Sequence, residues 1–163
     1  GDTNFEGLIE KLNTVCEQIE VPIIIKDVGF GLSLDVAKKV DFVDYFDLAG
    51  QGGTNWAYIE NERSGDDWGE PFFEVGFSTC ELLKSYSESE FDFIASGGLR
   101  TGLDVFKSMC MGSKLCGMAS PFLNAAKDQN LHEFYCKVEK QLKISMFITG
   151  CKSFDDCKKD KLC

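Results

Sequence analysis

A short apolar stretch that ends in two glycines and turns directly into a helix, residues 94–102 with the sequence IASGGLRTG, constrains this chain more than any other feature. In parallel α/β folds a Gly-rich turn at the C-terminal end of a strand leaves backbone N–H groups unshielded. The helix that follows aims its positive dipole end at the same point, so such a turn suits an anion. Gly97 and Gly98 would let a phosphate approach the main chain, Arg100 adds a planar charged donor, and Thr101 is placed to cap a helix opening at Gly102. The same residues also fit an ordinary strand-to-helix turn, so the rest of the chain decides between the two.

Apolar runs alternate with helical patterns from end to end. Leu8, Ile9, Leu12, Val15, Cys16 and Ile19 recur at helical spacing, and residues 21–25 form a continuous apolar run opened by Pro22, as a buried parallel strand does. Ser33 reads as the N-cap of a short helix reaching Lys39, and residues 42–49 as a second strand with an aromatic bias. Residues 50–71 are polar and too long for a simple connection, which predicts a functional loop. The pattern then predicts a helix over 73–86, a strand over 91–96, a helix over 103–111 and a short strand over 114–118. One small helical turn over 121–126 and a long amphipathic helix over 131–148 follow, and then a polar tail.

One helix followed by four strand-helix units predicts an α/β chain with a parallel sheet and right-handed crossovers. Three of the strands run into small-residue loops: Ala49-Gly50, Ser96-Gly97-Gly98, and Ala119-Ser120 after Met118. Active residues at the C-terminal ends of successive strands, with a phosphate site after the last two, characterise the (β/α)8 TIM barrel. A whole barrel takes roughly 250 residues. Four strands are half of one, so the expected organisation is a C-terminal half barrel over residues 1–150 and a polar tail over 151–163. Gly1 in place of Met suggests a chain cut from something longer or processed.

With 44% hydrophobic and 27% charged residues the composition is that of a soluble globular protein. No apolar run approaches the roughly 18 to 20 residues that span a bilayer. The opening GDTNFEGLIE lacks the basic and apolar regions of a signal peptide, so a cytoplasmic location is expected. A net charge of -10, from 17 Lys and Arg against 27 Asp and Glu, argues against nucleic acid or an anionic membrane as a partner. Any phosphate must therefore be held locally, by backbone amides, helix ends and individually placed cations. The eight cysteines contain no C-x-x-C pair, and Cys110/Cys116 and Cys151/Cys157/Cys163 are six apart, which predicts reduced thiols rather than a zinc site. No cysteine is expected beside a base that would activate it, and the one histidine, His132, reads as a surface or packing residue.

Five strings occur in order and with short gaps: IIIKDVGFGLS (23–33), DLAGQGGTNWAYIENER (47–63), IASGGLRTGLDVFK (94–107), MASPFLNAA (118–126) and MFITGCKS (146–153). Together they resemble type 2 isopentenyl diphosphate isomerase, its C-terminal half, from near Gly1 to about Ser153. IASGGLRTGLDVFK is shared with many flavin barrels, including the α-hydroxy-acid oxidases, and marks the phosphate site; KDVGFGLS and GGTNWAYIENER are more particular. In those oxidases the loop after the sixth strand carries the histidine base in an Asn-His-Gly-Gly pattern. Here Gly50-Gln51-Gly52-Gly53 offers none. The resemblance implies interconversion of isopentenyl and dimethylallyl diphosphate, a 1,3 proton shift on an unactivated alkene, with reduced FMN, Mg2+, and NADPH to keep the flavin reduced.

Lys26 ends an apolar strand, where a charge is costly without a partner, so its ammonium should face the barrel mouth; the resemblance implies that it donates to the flavin ring. By the same resemblance Thr54, with Gly52 and Gly53, contacts FMN phosphate. Gly97, Gly98 and Arg100 carry the main cradle, and Ala119 and Ser120 add amides. Ala49 departs from the serine common at its place, which implies weaker flavin binding. Trp56 and Glu60 share a face if the loop forms a helical turn; the resemblance implies that Trp56 borders the hydrocarbon and Glu60 transfers a proton. Asp27 and Asp47 read as structural partners for nearby donors, and the acidic run over 60–67 as solvated.

The family's diphosphate-binding and Mg2+-binding residues belong to a first half barrel that this sequence does not contain. The chain alone is thus expected to hold part of an FMN site, to lack full catalytic apparatus, and to form homo-oligomers through its exposed first and last strands. Two other readings remain: an FMN-dependent oxidoreductase of the hydroxy-acid oxidase or IMP dehydrogenase type, and a non-catalytic half barrel that only binds phosphate or FMN.

Overall fold

The computed structural model describes residues 3–162, so Gly1 and Cys163, both singled out in the sequence, lie outside the described residues. Its elements are α1 (Leu8–Gln18), β1 (Ile24–Lys26), α2 (Leu34–Ala37), β2 (Tyr45–Asp47), α3 (Trp56–Ser64), α4 (Thr79–Tyr86), β3 (Phe93–Ala95), α5 (Gly102–Cys110), β4 (Leu115–Cys116), α6 (Ser120–Lys127) and α7 (Leu131–Ile148). The strands lie in the order β1-β2-β3-β4 and all pair in parallel. This is four successive strand-helix units of a (β/α)8 barrel, the predicted half. Among the described residues no helix is long and apolar enough to cross a membrane.

The local signals for the caps hold. Ser33 accepts from Val36 N at the start of α2, and Thr101 and Asp104 form a reciprocal capping box at the start of α5. Elsewhere the structure corrects the sequence reading. The polar stretch over 50–71 is not one long loop, because Asn55 accepts from Tyr58 N and starts α3, which ends at Gly65 in the left-handed conformation. The helix predicted from residue 73 begins only at Thr79, where Ser78 and Glu81 form a capping box. Upstream of it a single 3-10 turn over Glu70–Phe72 gives way to a segment pinned by backbone bonds: Phe77 N donates to Phe30 O at 2.7 Å and Gln51 N donates to Phe77 O at 2.8 Å. The single turn predicted over 121–126 is a longer helix, α6. The strand predicted over 21–25 also starts late, since Ile23 N is taken by the Asp44 carboxylate at 2.7 Å.

The main core lies between the sheet and helices α2 and α4, where Phe46, Leu48 and Tyr86 are fully buried and Phe93, Ala95, Val40, Leu82 and Leu83 pack around them. Each large apolar side chain buried there stabilises the fold by roughly 1.5–3 kcal/mol. α5 packs along α7 so closely that a Cβ on Gly102 would sit 2.1 Å from Val138 O. The polar tail folds back through two short turns, Phe154–Asp156 and Lys159–Lys161. It buries Cys151 and Cys157 against Phe106 and Cys110 in a second, smaller core.

Candidate functional site

The C-terminal ends of the strands open into one cleft of about 720 Å3. Lys26 from β1, Ala49 and Thr54 beyond β2, Gly97, Gly98 and Arg100 beyond β3, and Ala119 and Ser120 beyond β4 all line it, as does Trp56 at the start of α3. These candidate cofactor contacts share one cavity with Gly53 and with one of the two candidate catalytic residues, while Gly52 lies outside its lining. Glu60, the other catalytic candidate, lies one turn below Trp56, away from the cleft lining, and accepts from Arg63 Nη1 at 2.8 Å.

Two loops are locked together at the centre. Gly97 has φ +91°, and a Cβ there would sit 2.1 Å from Gly50 O, so glycine is needed for one loop to touch the other. Arg100 reinforces the contact, Nη2 donating to Gly52 O at 2.9 Å and Nη1 to Leu99 O at 3.0 Å. Thr79 Oγ1 donates to the carbonyls of Ser96 and Gly97 from the head of α4. Ala49 adopts φ 41° and turns its N–H towards Asp47 Oδ1 at 3.3 Å and Ser96 Oγ at 3.2 Å.

The two helix ends that face the cleft differ in how their donors are engaged. At the start of α5 the N–H groups of Arg100 and Thr101 are both taken by Asp104 Oδ2, and that of Gly102 by Gln141 Oε1. The first-turn amides of α5 are therefore engaged by its own cap and by α7, as the expected capping role of Thr101 implies. α6, in contrast, starts at Ser120 with no side-chain cap; Pro121 has no N–H and Leu123 N is bonded to Ala119 O, which leaves the N–H groups of Ser120 and Phe122 without an acceptor among the described residues. Among the described residues no acceptor engages the backbone N–H of Gly53 or Gly98. The cleft thus offers two loop amides and a helix N-terminus at one side, and the Lys26 ammonium at another.

Lys26 Nζ lies 3.4 Å from Asp47 Oδ2, its side chain 58% exposed towards the cleft. Asp47 Oδ1 accepts from Ser96 Oγ. Asp47 and Ser96 line the cavity themselves, a placement that the sequence reading of Asp47 as a mere structural partner did not include. The signal was present: Lys26 and Asp47 end consecutive parallel strands. Asp27 matches its expected role, its Oδ2 accepting from the N–H groups of Gly29, Phe30 and Gly31 at 2.7–2.9 Å.

One expectation about the cysteines is overturned. Cys136 Sγ lies 3.6 Å from His132 Nε2, four residues apart on the exposed side of α7, so a cysteine does sit beside a base. Neither residue lines the cleft. The seven described cysteines are free thiols. Burial raises the thiols of Cys110, Cys116 and Cys157 above their ordinary range.

With this geometry the comparisons with known proteins agree. A model of the FMN-dependent dehydrogenase family matches residues 75–163, over half of the chain, and the chain belongs to that family. Within the flavin barrels its more particular likeness is to isopentenyl-diphosphate delta-isomerases. It is 40% identical over 172 residues to the one from Rickettsia bellii, covering 99% of this chain and 50% of that protein. It is 44% identical over 134 residues to the one from Hydrogenovibrio crunogenus, covering 77% of this chain and 39% of that protein. The chain thus spans about half the length, or less, of these relatives. Among solved structures, a flavocytochrome b2 variant with sulfite bound superposes with a TM-score of 0.65 at 20% identity, over 93% of this chain and 37% of that one. That likeness is one of fold.

Proposed function

We propose that this chain is the cofactor-gripping half of an isoprenoid-pathway isomerase, which interconverts isopentenyl and dimethylallyl diphosphate in the cytoplasm once a first half barrel completes it. The observation that carries the reading is the convergence of free amides from Gly53, Gly98 and the start of α6 with the Lys26 ammonium around one cavity. Such a donor set fits FMN, with an anionic phosphate at one side and a ring able to carry negative charge at the other. When bound, reduced FMN supplies acid-base and electrostatic help for the 1,3 proton shift. Thr54 and Arg100 frame the phosphate end, and Ala119 and Ser120 add their amides. Gly97 keeps the two loops in contact. Ala49, without a hydroxyl, leaves the ring one hydrogen bond fewer.

Trp56 is 44% exposed on the cleft and would wall the hydrocarbon of the substrate. Glu60 would hold or move the proton at its carboxylate. The Glu60–Arg63 pair is solvent-exposed, and such pairs contribute about 0–1 kcal/mol, so the carboxylate is free to turn. Among the described residues no group of three His, Cys, Asp or Glu could hold a metal ion. These residues do not fit Mg2+, and no step is derived through it; by resemblance the Mg2+-binding pair sits in the first half, and NADPH keeps the flavin reduced. The first half is also the partner that would cover β1 and β4, and without it the chain would self-associate there. Oxidation of a hydroxy acid, the alternative that the family name raises, finds no histidine on the cleft.

The test is isomerisation by the complete barrel containing this sequence, with reduced FMN. Lys26→Ala and Glu60→Gln should each lower kcat by about 100-fold or more, in the range of a lost general acid-base or charge-stabilising group. Normal turnover in both variants would remove the site assignment, and reduction of the flavin by a hydroxy acid would favour the oxidoreductase.

A further inference from the structure

Lys26 and Asp47 face each other in the register of β1 and β2, at the last residue of each strand. Their meeting is a product of pairing, since 21 residues separate them. The carboxylate is engaged on both oxygens: Oδ2 faces Lys26 Nζ at 3.4 Å, while Oδ1 accepts from Ser96 Oγ and from Ala49 N at 3.3 Å. Ser96 follows β3, so the carboxylate is gripped from the strand on its far side and cannot follow the lysine if the lysine turns away. The lysine has no such restraint of its own. Its side chain is 58% exposed on a flexible stem, whereas that of Asp47 is 17% exposed. The other cation on the cleft, Arg100, is tied by two of its donors to the Gly52 and Leu99 carbonyls. The absence of a side-chain hydroxyl at Ala49 leaves Ser96 as the hydroxyl that contacts Asp47.

We propose that Asp47, held by Ser96, is a positioning residue that aims the Lys26 ammonium at the ring of the cofactor in the cleft. This rests on the FMN reading and extends it: Asp47 and Ser96 act through Lys26 and need not touch the cofactor. A purely structural Asp47 would affect FMN binding whether or not Lys26 is present. A positioning Asp47 would affect it only through Lys26.

Dissociation constants for FMN, read from quenching of flavin fluorescence in the complete barrel, separate the two. Lys26→Ala should weaken binding by about tenfold and Asp47→Asn by about three- to tenfold, as for loss of one charge-assisted hydrogen bond. The double variant should bind no more weakly than Lys26→Ala alone. Ser96→Ala, which keeps both charges, should weaken binding by about twofold, and this loss too should vanish in the Lys26→Ala background. It carries the test should Asp47→Asn not fold. Losses that multiply in the double variants would overturn the positioning role alone. Failure of the unaltered barrel to bind FMN would overturn the functional reading and this inference with it.

Discussion

Phe46 of β2 and Phe93 of β3 are 1% and 2% exposed, whereas Ile24 of β1 and Leu115 of β4 are 50% and 60% exposed. The central strands bury aromatic side chains under α2 and α4, and their loops interlock through Gly50, Gly52, Gly97 and Arg100. The flanking strands each pair on one side only. α1 buries none of its residues, and the apolar face formed by Leu8, Ile9 and Val15 is half-exposed. An edge of this kind is a template for further strand pairing. The centre is packed, whereas the flanks leave apolar surface open, and the chain spans about half the length of the curated relatives it matches.

The contrast can be broken by substitution. Phe46→Ala should cost about 3–5 kcal/mol in urea unfolding, the range for emptying a buried aromatic site. A much smaller loss would mean that the centre is loosely packed. Gly97→Ala should cost about 3 kcal/mol and abolish FMN binding, because the new Cβ meets Gly50 O in a backbone conformation that alanine resists. Unchanged binding would show that contact between the loops is dispensable.

Ile24→Ala sharpens the comparison further. In this chain alone it should cost under about 1 kcal/mol, rising to about 2 kcal/mol or more in the complete barrel, where β1 becomes interior. Equal costs in both settings would argue against coverage by a first half. Thiol mapping by mass spectrometry with an aromatic disulfide should find Cys80 and Cys136 reactive in the native chain. Cys110, Cys151 and Cys157 should react only after unfolding, since all three are buried. The smallest expected effect is at α4. Hydrogen bonds from Ser78 hold the Glu81 carboxyl below its usual range when folded, so this cap stabilises the helix above the ordinary carboxylate pKa. The contribution fades as pH falls through the folded value, and amide exchange near Ser78 should quicken there. Ser78→Ala should weaken that pH dependence, leaving the part due to the backbone N–H of residue 78.

What was legible in the sequence is local. Thr101 and Ser33 cap helices through residues three positions away, and the small-residue loops after β2, β3 and β4 occur where the strand pattern predicts them. Asn55 and Gly65 were equally readable signals for α3, but the polar residues between them read as loop. The pattern also predicted a helix from residue 73, but backbone bonds from Phe77 N to Phe30 O and from Gln51 N to Phe77 O pin the chain there, and the helix begins only at Thr79.

The order of strands and helices, the glycine turns and a lysine at a strand tip followed from residue types and spacing alone, because capping, turn chemistry and hydrophobic period act over a few neighbouring residues. Tertiary structure decided that Lys26 meets Asp47, that Ser96 holds that carboxylate, and that the tail cysteines are buried beside Cys110. Each depends on sheet register or helix packing between residues some 20 to 50 apart, and such distances are set only when the whole chain closes on its core.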